Sequence, residues 1–267
     1  KAGTTEGHRR PLKPSDCRCI ENFLSNPVTS QTTDPATMPQ FVLGYWKIRG
    51  LAAPARMMLE YKKADYEDVQ YDDAAKWFSE DKPKLAEKNP LVNLPYVVDG
   101  ETVVTHSNSV YAYLGEKLGI TPTDENSKFW DSQALLEVFD LRNGMIELVY
   151  PFKQVCRTQA EFEARRDKIL EELLLKSYEK FEKVLQKTPG PFIGGETPAP
   201  SDFHLFEMID QHEALAKSAG KPSPVSSYSG LQKLHAAFKE LPSLKNYFSS
   251  DAYKLPINNA LGGAYFA

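Results

Sequence analysis

The chain has 267 residues, 41% hydrophobic and 25% charged, with 14 Phe, 13 Tyr and 3 Trp. That composition excludes a wholly disordered chain and suits two compact domains of ~100–150 residues. Lys and Arg number 32 against 36 Asp and Glu, a net charge of -4 without any long basic block, so a nucleic-acid surface is not expected. No apolar run approaches the ~18 residues of a membrane span, so none is expected to cross a bilayer.

Residues 1–37 are rich in Pro, Ser and Thr, lack periodicity and read as a disordered leader. The segment has no apolar h-region, so it is no secretory signal, and its acids are unusual for a transit peptide. A translated leader or an appended segment is the favoured reading, and Met38 is the first Met. Of the three Cys, two, Cys17 and Cys19, lie here. With no second Cys/His pair nearby they read as free thiols rather than metal ligands. So few Cys cannot staple the fold and point to a reducing, cytoplasmic setting.

From Met38 strand and helix patterns alternate. Phe41–Trp46 reads as a strand and 52–64 as a helix with Pro54 in its first turn. Tyr66–Tyr71 reads as a second strand, and 74–88 as a charged, weakly helical stretch. The runs 95–98 and 102–105 flank Asp99-Gly100, a hairpin signal. Ser107 is placed to cap a helix running to about Leu118. The order β-α-β-α-β-β-α predicts a small mixed sheet with helices on its faces. Residues 119–126 read as a linker. Helices are expected over 127–150, 159–187, 201–219, 230–241 and 244–253, with a Pro/Gly-rich loop at 188–200. The expected fold class is therefore α/β followed by an all-helical bundle, with domains at 38–120 and 127–267.

Several chemistries lack their motifs. There is no G-x-x-x-x-G-K-[ST], no G-x-S-x-G and no H-E-x-x-H, and the five His are scattered, so no metal site is expected. The informative stretches are Gly44-Tyr45-Trp46-Lys47-Ile48-Arg49-Gly50-Leu51, Asn93-Leu94-Pro95 and Thr105-His106-Ser107-Asn108. Together they resemble the cytosolic glutathione transferases over nearly everything after Met38. The first motif is similar to the mu class. Val138-Phe139-Asp140-Leu141-Arg142 and the tail Tyr253-Lys254-Leu255-Pro256-Ile257-Asn258 are more like the pi class, and the loop after Tyr71 is too short for the mu insertion.

The resemblance implies a thioredoxin-like domain binding glutathione as co-substrate, and a helical domain shaping the pocket for small hydrophobic electrophiles, in a homodimer. It implies that the Tyr45 hydroxyl donates to the glutathione sulfur, stabilising the thiolate nucleophile. A protein-thiol redox reaction would need a Cys near this point, and none is there. Trp46 and Leu51 flank that site. Trp77 and Lys82 align with a pair holding the glycyl carboxylate, with Lys84 competing for the Lys role. Asn93, Leu94 and a cis Pro95 are implied to face the cysteinyl part, and His106 and Ser107 the γ-glutamyl carboxylate at a helix N-terminus. His106 stands where relatives have Gln, which would make glutathione affinity pH-dependent unless its ring points away. Asp140 is implied to reach the γ-glutamyl ammonium across the dimer, or else to be a solvated charge. Tyr150 is either a donor to the electrophile or a core residue. Leu91 replaces an aromatic key into the partner subunit, and Ala199 replaces the usual cap of the box ending at Asp202. Two other readings remain open on the same site, a non-catalytic glutathione or hydrophobic-ligand binder and a glutathione-dependent isomerase or peroxidase.

Overall fold

The computed structural model describes residues 40–267, and the expected leader, with Cys17 and Cys19, lies outside the described residues. Strand β1 (Phe41–Trp46) runs parallel to β2 (Tyr66–Tyr71), with Tyr45 opposite Gln70. It runs antiparallel to β3 (Tyr96–Asp99), which turns back into β4 (Thr102–Thr105). The sheet order is β2-β1-β3-β4. Helix α1 (Ala53–Lys62) supplies the crossover that the parallel pair demands.

The strand period of two sorts β1 between two cores. Phe41, Leu43 and Tyr45 join Ala55 and Met58 of α1 and Val110 and Tyr111 of α3 (Ser107–Leu118). The other face carries Tyr71, Trp77, Val92, Tyr96 and Val103. Gly44 belongs to that second face, where a Cβ would overlap the Tyr96 ring. Trp77 arrives on a π-helical turn (Lys76–Asp81) that runs into α2 (Lys82–Ala86), the stretch expected to be weakly helical.

The second half is helical throughout: α4 (Glu125–Val149), α5 (Gln159–Lys168), α6 (Leu174–Leu185), α7 (Pro200–Ser218), α8 (Ser229–Lys239), α9 (Lys245–Ser249) and α10 (Asp251–Lys254). Four local expectations are corrected. Helix α4 starts two residues early because Asp124 accepts the Ser127 N–H at 2.9 Å and caps it. The helix expected over 159–187 is broken by a π-helical turn, Ile169–Leu173, whose wider turn keeps Ile169, Leu170 and Leu174 all buried. The helix expected over 244–253 breaks at Ser250, which is extended and whose hydroxyl caps α10. Ser107 is the first residue of α3 rather than its cap. His106 takes the cap position, at φ 66°, with no side-chain cap bond.

Helix α7 is the centre of the helical half. Phe203, Phe206, Leu205, Met208 and Ile209 are fully buried on it, between α1, α4 and α8. Its start is held by Asp202. With Ala199 at the cap position, no side chain there can accept a bond. The Asp202 carboxylate instead accepts the N–H groups of Ile193, Gly194 and Ala199 at 2.7, 3.0 and 2.9 Å. Burial pushes this carboxyl up to about 7 against the pull of those donors. Asp202→Ala should leave three buried N–H groups unmatched and destabilise the protein by ~3 kcal/mol, read from urea unfolding. A loss below ~1 kcal/mol would show that the loop over 193–199 satisfies itself.

Candidate active site

Tyr45 closes β1 with its side chain 5% exposed, and its hydroxyl makes no hydrogen bond among the described residues. The chain then turns sharply through Gly50, at φ 40°. A Cβ there would lie 2.7 Å from Tyr45 Cε1 and 2.9 Å from its hydroxyl. Only glycine leaves room for the ring and accepts the left-handed backbone. Two more tyrosines share this neighbourhood. The Tyr111 hydroxyl donates to the Leu51 carbonyl at 2.7 Å. The Tyr150 hydroxyl accepts the Asn259 N–H at 2.6 Å, which leaves its own proton for another acceptor. Burial pushes both phenols up, Tyr45 adds to that, and Arg142 opposes it.

The same turn carries Arg49, a buried residue the sequence reading passed over. Its Nη2 donates to Glu207 Oε2 at 2.7 Å and Asp210 Oδ2 at 2.6 Å, both on α7. Its guanidinium lies 4.6 Å over the Tyr253 ring. The N–H groups of Arg49 and Gly50 donate to the Pro256 and Ile257 carbonyls at 2.8 and 3.1 Å. Asp210 also receives the Tyr253 hydroxyl and the Lys239 ammonium. Despite burial, His235, Arg49 and Lys239 hold the Asp210 carboxyl well below the usual carboxylate range.

The remaining candidates gather at the ends of β1, β2 and β3. Trp46 is half-buried, 6.1 Å from the Phe78 ring. Trp77 is fully buried, stacked 5.8 Å from Tyr96. Lys82 Nζ stands 5.9 Å over the Trp77 ring, whereas Lys84 is largely exposed and lies 3.9 Å from Asp81. The Leu94–Pro95 peptide is cis. Thr105, another residue the sequence reading missed, ties this loop down. Its hydroxyl donates to the Asn93 carbonyl at 2.7 Å and accepts the Asn93 N–H at 2.9 Å. His106 is exposed and Ser107 buried beside it. Asp140 is exposed on α4, and Tyr150 ends that helix. Leu91 is 71% exposed.

Two histidines of α7 are buried in this core. His204 packs edge-on to Tyr111 at 5.2 Å, and His212 Nδ1 lies 2.6 Å from the Tyr178 hydroxyl. Burial, reinforced by Arg142, lowers both imidazoles to about 3. No group of metal-ligating side chains gathers here or elsewhere among the described residues. No helix among them is long and apolar enough to cross a membrane.

Comparison with known proteins agrees with this geometry. Residues 41–116 match the model of the glutathione S-transferase N-terminal domain, and residues 140–251 that of the C-terminal domain. The chain is 31% identical over 220 residues to glutathione S-transferase Mu 2 of Rattus norvegicus, covering 79% of this chain and 91% of the relative. It is 29% identical over 225 residues to glutathione S-transferase Mu 1 of Oryctolagus cuniculus, covering 80% and 94%. A Pi-class glutathione S-transferase structure from Onchocerca volvulus shares the fold, with a TM-score of 0.68 at 23% identity over 83% of this chain and 98% of that one. The chain belongs to the glutathione S-transferase family, of mu/pi type, and is an enzyme that conjugates glutathione.

The neutral histidines give a pH signature. An unfolded imidazole titrates near ~6.5, so below that pH the unfolded chain takes up protons the folded chain refuses. The stability each histidine preserves is whole above ~6.5 and falls away as pH drops toward the folded value. His204→Phe removes one such group and no hydrogen bond. Relative to wild type, its stability should rise by ~2 kcal/mol between pH 7 and pH 5, measured by urea unfolding at both. A difference independent of pH would mean that His204 takes up protons equally in the folded and unfolded chain.

Proposed function

We propose that Tyr45 activates glutathione and that the thiolate attacks small hydrophobic electrophiles held between Tyr150 and the C-terminal tail. The observation that carries this is the Tyr45 hydroxyl: a phenol otherwise buried, held by the Gly50 turn, with its one proton uncommitted among the described residues. A preorganised donor beside the sulfur favours the anion over the thiol without reorganisation during reaction. The thiol proton leaves to solvent, and the sulfur lone pair forms the new bond to the electrophile.

The other candidates are assigned around it. Trp46 and Leu51 border the sulfur. The Leu94 backbone pairs with the cysteinyl peptide, beside Asn93 and Pro95. Lys82, with Trp77 beneath it, takes the glycyl carboxylate. Lys82 is preferred to Lys84, which has Asp81 as a partner. His106, Ser107 and the free N–H groups of α3 receive the γ-glutamyl carboxylate. Asp140, exposed on α4, serves the γ-glutamyl ammonium of the neighbouring subunit. The dimer this requires has large exposed apolar side chains to cover, among them Leu91, Phe129 and Leu136. Residues 38–120 then form the glutathione domain and 127–267 the electrophile domain of a cytoplasmic detoxifying enzyme.

Tyr45→Phe should lower kcat for a chloronitrobenzene substrate by ~10²–10³-fold while glutathione affinity stays close to wild type. Near wild-type turnover would remove Tyr45 from the mechanism. Asp140 is tested in mixed dimers, with Tyr45→Phe in one chain and Asp140→Asn in the other. If the acid works across the dimer, one site carries both lesions and the other none, so the mixed dimer keeps about half of wild-type activity. Two equally impaired sites would place the acid within its own chain.

A further inference from the structure

Helix α4 carries Gly144 in its interior, where glycine is destabilising relative to alanine. A Cβ at that position would meet nothing within 4 Å. The open space belongs to a cleft of about 220 Å³ between α4, the π-helical turn Ile169–Leu173, α6 and α7. Its walls are Leu141, Met145 and Leu148 of α4, Ile169 of the turn and Leu174 of α6, all buried. A π-helical turn brings residues five apart into line, and the Leu174 N–H donates to the Ile169 carbonyl, so these two share one wall. One polar group reaches the apolar floor. His212 of α7 borders the cleft and is 1% exposed. Its Nδ1 lies 2.6 Å from the Tyr178 hydroxyl, and its Nε2 has no hydrogen-bond partner among the described residues. The Tyr178 hydroxyl, fully buried, has no other partner among them either. A buried phenol gives its proton to the acceptor in reach, so Tyr178 donates to Nδ1. The imidazole, which burial keeps neutral, then carries its own proton on Nε2. An unmatched N–H donor therefore stands among apolar side chains, and the cleft is the space open to it.

We propose that this cleft is a second binding site, separate from the Tyr45 pocket, for small neutral carbonyl compounds. The ligand oxygen accepts the His212 Nε2–H, and the carbon skeleton fills the space between the apolar walls. The site stands apart from the reading of Tyr45, because none of its lining residues belongs to the turn that holds that phenol. Size and charge narrow the occupant. A cavity of about 150 Å³ takes benzene, so this one takes about nine or ten non-hydrogen atoms. At the rim, the acids Asp140 and Glu147 outnumber the one cation, Arg165. A carboxylate would meet that negative excess on entry and lose its hydration among the apolar walls, which a single neutral N–H does not offset. A ketone or aldehyde has the acceptor without the charge. Gly144 has its reason here, since any side chain on that turn of α4 would project into the ligand's place.

The test is calorimetric titration of 1-indanone, indane and benzoate into enzyme saturated with S-hexylglutathione, a product analogue that keeps the conjugation site filled. Wild type should bind 1-indanone with a Kd below about 1 mM. Indane, which has the skeleton without the oxygen, should bind about fivefold more weakly, and benzoate at least about tenfold more weakly. Gly144→Leu puts a side chain into the cleft and should weaken 1-indanone at least about tenfold. His212→Phe keeps the volume and removes the donor, so 1-indanone should fall to the affinity of indane. Failure of wild type to bind 1-indanone overturns the proposal, and so does wild-type affinity in Gly144→Leu. Equal affinities of wild type for 1-indanone and indane, or for 1-indanone and benzoate, overturn it as well. If His212→Phe does not fold, the three ligands on wild type and the Gly144→Leu variant decide.

Discussion

The two halves of this enzyme meet through the buried guanidinium of Arg49. Its carboxylate partners are 158 and 161 residues away in sequence. Each would be costly to bury alone, and breaking such a pair exposes that cost at ~3–5 kcal/mol. The bond is more than an anchor, because Arg49 belongs to the turn that shapes Tyr45. Its own N–H and that of Gly50 are held by Pro256 and Ile257. The position of the Tyr45 phenol is thus set by the helical half, although every residue of the turn belongs to the sheet half.

The polar residues of α7 extend the same logic. Asp202, Glu207 and Asp210 each meet donors from another part of the chain: the 193–199 loop, the Arg49 turn, and α8 with the tail. His204 and His212 accept burial by remaining neutral. A helix that packs on three sides has no solvated face for such groups, so each must find a partner or lose its charge. On the neighbouring helix, Nε and Nη1 of the buried Arg142 have no partner among the described residues.

Much of the sheet half was legible because its signals are local. The alternation in Phe41–Trp46 and the Asp99-Gly100 turn act within a few residues. Long helices were legible in their interiors and not at their ends or breaks. One extra residue at Ile169–Leu173 or one hydroxyl at Ser250 decides a boundary there, and periodicity averages over both. Tyr45 stood out only through the motif around it, as a lone buried tyrosine would read as core. Arg49 and Thr105 were not legible, because their partners lie in other elements. The cap of α3 was misplaced by one position, at Ser107 instead of His106. Ser107 has the better cap chemistry, but the chain enters α3 through a left-handed residue.

The C-terminal tail shows how readily such an enzyme can diversify. The Tyr265 N–H donates to the Val149 carbonyl at 2.9 Å, and its ring stacks on Phe162. Gly262 lies against the Tyr150 and Phe152 rings. This last segment touches the tyrosine that would meet the electrophile. Its ties to the Arg49 turn lie upstream, in the Pro256 and Ile257 carbonyls and the Tyr253 ring. Side-chain changes beyond those carbonyls alter what lies against Tyr150 and leave the turn beside Tyr45 untouched. Mutation and selection can therefore reshape the surroundings of Tyr150 without first endangering the turn that holds Tyr45.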